Sequence, residues 1–101
     1  MNSNKLLTLL GFCRKAGKLV TGTEKVTQLV KSRKECLVML AEDISEKTEK
    51  ELRFFAGKGR AVVIRVPFDT ETVSCAIGIR AGVVATSDDG FCKAILQGGK
   101  N

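Results

Sequence analysis

The sequence contains no histidine, no tryptophan and no tyrosine, and only one proline among 101 residues. Each absence removes a class of function. Without histidine there is no imidazole base, and no His ligand to complete a zinc set with cysteine. Without Trp or Tyr, the usual stacking surface for single-stranded nucleic acid is missing, and no aromatic platform is predicted. No segment approaches the roughly 20 continuous apolar residues that a membrane-spanning helix needs. The opening stretch MNSNKLLTLLGFCRK has an apolar centre, but Thr8 and Gly11 break it and Arg14 and Lys15 follow it. A signal peptide would end on small residues instead, so this stretch reads as a helix of the domain.

Cysteine is present without a pattern. Cys13, Cys36, Cys75 and Cys92 form no C-x-x-C pair. Each lies in an apolar stretch, so all four are expected to be buried free thiols, as suits a reducing cytoplasm.

Positive charge is abundant and unevenly placed. The net charge is +6. Residues 1–34 carry eight Lys/Arg against one acid, Glu24, while residues 35–101 carry nine against ten. A polyanion partner would explain the asymmetry, and so would a solvated basic face.

The length suits one domain, and 44% hydrophobic residues suffice for one core. Leu6, Leu9, Leu10 and Cys13 recur at helical spacing within residues 4–16. Residues 18–21 read as a short strand. Val26, Leu29 and Val30 mark one face of a helix over 23–34. CLVMLA, 36–41, is a continuous apolar run, as in a strand covered on both sides. Ser45 is the predicted cap of a helix that buries Thr48, Leu52, Phe55 and Ala56. AVVIRV, 61–66, reads as a second buried strand, ended by Pro67. Asp69 is the predicted cap of TETVSCAIG. VVATS, 83–87, is a third strand, and Asp88 or Asp89 caps a last helix packed through Phe91, Ala94 and Ile95. The tail 98–101, GGKN, is expected to fray. Helices alternating with apolar strands predict an α/β domain with helices on both faces of a sheet.

Three sites compete for the function. GKLVTGT, 17–23, fits G-x-x-x-x-G, but Thr23 stands where a phosphate-binding loop requires Lys, and the motif follows a helix rather than a strand. Glu42-Asp43 and Asp88-Asp89 follow strands, and a carboxylate pair at a strand's carboxyl end is where the site of an α/β domain, here a small hydrolase, would lie. Asp43, Asp88 and Asp89 are also good helix caps, which is the stronger reading. No nucleophile, metal set or cofactor loop accompanies them. The third site is the helix start at Gly22. Thr21 and Glu24 fit a T-x-x-E capping box. The outward face of that helix carries Glu24, Lys25, Gln28 and Lys31, near Arg14, Lys15 and Lys18. Such a helix N-terminus suits nucleic-acid phosphates.

The stretches LLGFCRKAGKLVTG, GTEKVTQLVKSRKECLVMLAEDIS and CAIGIRAGVVATSDDGF, taken in order, resemble the kink-turn RNA-binding ribosomal proteins of the L7Ae and L30e superfamily. Within it, the bacterial YlxQ-type proteins are the most similar. The resemblance implies a three-layer α-β-α sandwich around a mixed sheet, in a single non-enzymatic, cofactor-free domain of the cytoplasm. It implies a structured RNA partner with a kink-turn-like bend, in the ribosome or another ribonucleoprotein. Gly22, Thr23, Glu24, Lys25 and Gln28 match the family's G-T-N-E-x-x-K helix start. Gly78, Ile79, Arg80 and Ala81 match its apolar loop, usually G-I-E-V. By this likeness Gly22 and Thr23 admit close backbone approach, Gln28 hydrogen-bonds, and Ile79 packs on a base. Arg14, Lys15, Lys18, Lys25 and Lys31 supply positive charge. Three helix positions depart from the pattern: Glu24 for Asn, Lys25 for Glu and Gln28 for Lys. A carboxylate at Glu24 repels guanine O6 and N7 but accepts from cytosine or adenine amino groups. A second reading, implied by the same departures, is a protein-interaction adaptor that keeps the fold without binding RNA.

Overall fold

A computed structural model describes residues 3–98. In chain order the elements are α1 (Ser3–Lys15), β1 (Val20–Thr21), α2 (Thr23–Lys31), β2 (Cys36–Leu40), α3 (Glu46–Ala56), β3 (Ala61–Arg65), α4 (Thr70–Ile77), β4 (Val83–Thr86) and α5 (Asp89–Gly98). Of the tail expected to fray, Gly98 ends α5 and residues 99–101 lie outside the described range.

The strands form one mixed sheet in the order β1-β4-β2-β3. β2 and β3 run parallel, joined by α3. β4 is antiparallel to both β2 and β1. Every residue of β2 and β4 is buried. Their side chains alternate between two cores, as the pleat requires. Leu37, Met39 and Val84 meet Leu6 and Leu10 of α1, Val73 and Ile77 of α4, and Ile95 of α5. Cys36, Val38, Leu40, Val83 and Ala85 meet Val26 and Val30 of α2 and Leu52 of α3. The architecture is the three-layer α-β-α sandwich with a mixed central sheet.

The local signals for most helices are realised. Ser45 Oγ accepts from the Thr48 amide at 3.2 Å. Asp69 Oδ1 accepts from the Thr72 amide at 2.8 Å, and Asp88 Oδ2 from the Phe91 amide at 3.0 Å. Asp88, rather than Asp89, is therefore the cap of α5.

Three expectations are corrected. β3 is an edge strand and only half-buried: Ile64 packs on the first core, while Val62 on the same face is 53% exposed. Its apolar run resembles that of a covered strand, but among the described residues no further strand lies beyond it. Arg53 and Arg65 tie β3 to α3 and to the turn after β2. Arg53 donates to Val63 O at 3.2 Å, and Arg65 donates to the carbonyls of Glu42 and Ile44, at 2.8 and 3.1 Å. Both guanidiniums also hold Glu49, each at 2.9 Å. Second, α2 stops at Lys31 and not near 34, because Arg33 takes a left-handed φ of 62° and turns the chain into β2. Third, Cys75 is exposed on α4, whereas Cys13 and Cys36 are buried and Cys92 is half-buried. Burial holds the thiols of Cys13, Cys36 and Cys92 above the ordinary cysteine pKa.

Two outcomes are expected from this packing. α1 crosses α4 at Gly11, where an added Cβ would stand 2.9 Å from the Ala76 carbonyl oxygen. Gly→Ala inside a helix ordinarily stabilises by about 1 kcal/mol. Here the clash is with backbone, and overpacking of roughly 1–3 kcal/mol should reverse the sign. Gly11→Ala is therefore predicted to lower the thermal midpoint; a midpoint at or above the parent's would show that the crossing relaxes freely. The thiols make the second test. Native protein should react quickly with one equivalent of an aromatic disulfide reagent, at Cys75, and Cys75→Ser should remove that phase. Rapid labelling of Cys13 or Cys36 in the folded state would contradict the burial described.

Candidate nucleic-acid interface

Strand directions decide which loops meet. β1 and β2 end, and β4 begins, at one end of the sheet, because β4 is antiparallel to both. Gly22 donates from its backbone N–H to Val83 O at 2.9 Å, and Ala41 to Gly82 O at 2.8 Å. The start of α2, the Ala41–Ser45 turn and the loop from Gly78 to Gly82 therefore share this end.

The start of α2 is built differently from the sequence expectation. Gly22, not Thr21, is the N-cap, and no side chain caps the helix. The capping box of Thr21 and Glu24 is not formed. Thr21 is committed to β1, where it pairs with Val84. Gly22 turns the chain at φ 98° and ψ 145°, a conformation that strongly favours glycine. Val26 bonds back to Gly22 O at 3.0 Å. The amides of Thr23, Glu24 and Lys25 belong to the first turn, whose N–H groups have no acceptor within a helix. They are the positive end of the helix dipole. Thr23, Glu24, Lys25 and Gln28 are exposed, while Val26 and Val30 hold the opposite face in the core.

The second segment is a tight loop. Gly78 ends α4 in the left-handed conformation, at φ 77°. Arg14 Nη1 donates to Ile77 O at 3.1 Å, so α1 ties down the C-terminal end of α4 and the loop that leaves it. Ser74 Oγ accepts from the Ala81 amide at 2.9 Å and fixes the other end of the loop. Ile79 is 41% exposed and Arg80 is exposed, but Ala81 is only 7% exposed and belongs to the first core. Ala81, which the resemblance matches to the family loop, thus keeps its side chain in the core, and the exposed apolar side chain of the loop is Ile79. Arg80 lies near Asp43. Asp43 Oδ1 accepts from the Thr70 hydroxyl at 2.7 Å and the Thr70 amide at 2.9 Å. The Thr70 hydroxyl foremost, with Arg80 as a smaller contribution, holds the Asp43 carboxyl below its usual pKa.

The predicted basic residues do not form one patch. Arg14 and Lys15 flank Gly78, lining a groove with Phe12 and Cys75. Lys18 follows the Gly17 turn and lies beside Ser87 and Asp88, past the far end of β4 from Val83. Lys31 is at the other end of α2, about 13 Å away for nine residues at 1.5 Å each, with its ammonium 4.6 Å from the centre of the Phe55 ring. Of the four carboxylates considered for hydrolysis, Asp43 is held by Thr70, Asp88 by the Phe91 amide, and Asp89 lies 3.7 Å from the Lys93 ammonium. Among the described residues, no group of three or more Cys, Asp or Glu side chains could hold a metal ion. Nor is any described helix long and apolar enough to cross a membrane.

Sequence reasoning missed one surface. Phe54, on the outer side of α3, is 58% exposed, with Lys58 Nζ 4.4 Å from its ring centre. The absence of Trp and Tyr had predicted no aromatic platform, yet a phenylalanine is presented to solvent beside a cation. The signal was the doublet Phe54-Phe55 in a charged helix, of which only the second ring can face the core.

The chain is similar to known proteins in sequence and in fold. The Enterococcus faecium protein named RNA-binding protein YlxQ is 31% identical over 96 residues, which cover 91% of this chain and 88% of that protein. A Bacillus halodurans protein, whose structure is described as one of unknown function, is 32% identical and superimposes with a TM-score of 0.82, covering 92% of this chain and 94% of its own. The Giardia lamblia 15.5kD RNA binding protein shares the fold at a TM-score of 0.69 and 17% identity, over 94% of this chain and 82% of its own. Residues 4–93 match the sequence pattern that defines one family across nearly the whole chain. The chain belongs to the ribosomal protein L7Ae/L30e/S12e/Gadd45 family.

Proposed function

We propose that this chain is a non-enzymatic RNA-binding protein of the cytoplasm, which grips a structured RNA with a kink-turn-like bend and works within the ribosome or another ribonucleoprotein. The observation that carries the reading is the uncapped start of α2 beside the Gly78–Arg80 loop, in a chain of this family. Free amides at Thr23, Glu24 and Lys25 would donate to phosphate oxygens, and Gly22 leaves the approach open. Ile79 would pack against a base turned out of the stack, the usual way proteins read unpaired RNA. Lys25, Lys15 and Arg80 would supply the field. The YlxQ protein of Enterococcus faecium, 31% identical, is named as RNA-binding, which supports extending that activity to this chain.

Glu24 sets the specificity expected. It makes no capping bond, so it is free to face RNA. Its carboxylate would accept from cytosine or adenine amino groups and would disfavour guanine. The test uses a kink-turn RNA and a straight duplex at one fixed salt concentration. Glu24→Asn should raise the ratio of the two affinities, because an amide can donate to guanine O6. Because no cap is lost, its stability should change by less than about 1 kcal/mol. Affinity should fall steeply with salt, and Lys25→Ala should flatten the log–log slope by roughly 0.7 to 0.9, one phosphate contact. Equal affinity for bent and straight RNA, in parent and variants alike, would reject the reading.

A further inference from the structure

The end of α2 opposite the candidate interface holds a second group of cations arranged around an exposed ring. Lys31 closes α2, and Arg33 and Lys34 follow in the turn to β2. Lys58 and Arg60 lie in the turn from α3 to β3. The two turns touch: a Cβ on Gly59 would stand 3.1 Å from Arg33 Cα. Parallel pairing of Cys36 with Ala61 sets Lys34 and Arg60 at the same end of the sheet. Lys50 joins them from α3, across an open groove of about 630 Å³ between α2 and α3 that Thr27, Lys31, Phe54 and Phe55 also line. Glu35 and Glu51 stand next to these cations in the chain, and Glu46 and Glu49 line the neighbouring groove with Lys50.

Ring and charge are already coupled. Phe55 is half-buried against the second core and meets Phe54 edge-on, with centroids 5.3 Å apart and planes at 71°. That contact props Phe54 outward. Lys58 sits over Phe54 and Lys31 over Phe55, at 4.4 and 4.6 Å. A cation over an exposed ring is worth only about 0.5–1 kcal/mol. Both lysines can therefore exchange the ring for a phosphate at small cost, leaving the ring open to a base.

We infer that this α2–α3 surface is a second RNA contact, which takes unpaired nucleotides: one base stacks on Phe54, and the flanking phosphates bind Lys31, Lys58 and their neighbours. Charge decides the class of occupant, since six cations around an aromatic face match a flexible polyanion with bases and not an apolar partner. The outer face of α2, through Gln28 and Lys31, leads from the candidate interface to this groove. A strand leaving a bent RNA held at Gly22 would cross about 13 Å to reach it. The inference rests on the proposed RNA binding for that route, but the stacking site itself does not require a kink-turn.

The test compares three probes with the full chain: a blunt kink-turn hairpin, the same hairpin with a single-stranded uridine tail of about eight nucleotides at either end, and the tail alone. The parent should bind one tailed hairpin about five- to tenfold more tightly than the blunt one, the effect of one stacked base. Phe54→Leu, at an exposed position, should abolish that advantage and leave blunt-hairpin affinity unchanged. The double variant Lys31→Gln, Lys58→Gln should do the same and also flatten the salt dependence of the tailed probe. Lys25→Ala should instead weaken both hairpins alike. If no hairpin binds but the tail alone does, and Phe54→Leu removes that binding, the kink-turn reading fails and the stacking site stands. If Phe54→Leu leaves every probe's affinity at the parent value, the inference is overturned, including the case in which the patch serves a protein partner.

Discussion

The rest of the molecule depends on one constraint: β2 and β4 are buried on both faces. A sheet centre of this kind must be covered twice, so the chain supplies α1, α4 and α5 to one side and α2 and α3 to the other. Register is then fixed. Sliding β2 by one residue would exchange Met39 and Val38 between two cores of different shape. Because both faces of its centre are occupied, the ends of the sheet, its edges and the outer faces of the helices remain for a partner. The direction of β4 determines what stands at each end. It brings Val83 to Gly22, and with it the Gly78–Gly82 loop, while the turns carrying Arg33, Lys34, Lys58 and Arg60 fall at the other.

Gly22 is where fold and chemistry meet. A helix ordinarily spends a Ser, Thr or Asp on its first amides. Here Thr21, the residue that could have served, is held in β1, and the chain turns through a positive φ into α2 without a cap. α3, α4 and α5 are capped by Ser45, Asp69 and Asp88. The contrast within one small domain makes the bare start of α2 stand out. Its amides are exposed to solvent or to an anion, and the loss of a cap is offset by packing of Val26 and Val30 in the core.

Much of this was legible because the signals were local. A run such as CLVMLA, or a cap such as Ser45 before EKTEKEL, carries its own evidence within a few residues. The readings that failed depended on distant partners. T-x-x-E is a valid capping pattern, yet whether Thr21 caps is settled by β4, more than sixty positions later. AVVIRV has the composition of a covered strand, but its place at the edge follows from strand order, which composition does not encode. Cys75 and Phe54 are apolar by type and exposed because α4 and α3 each bury another face.

Charge shows the same difference between sequence and space. The excess in the first 34 residues reads as one basic region. The structure distributes it: Lys15 stands beside Gly78, Lys25 in the first turn of α2, Lys18 beside Asp88, and Lys31 with Lys50 from the later, nominally acidic part of the chain. The two ends of α2 are separated by about 13 Å. At 0.01 M salt, with a Debye length of about 30 Å, they act on a polyanion as one field. At physiological ionic strength the length is about 8 Å, and each end is largely screened from the other. Long-range attraction then gives way to local geometry: the bare amides and Ile79 at one end of α2, and the propped ring of Phe54 at the other.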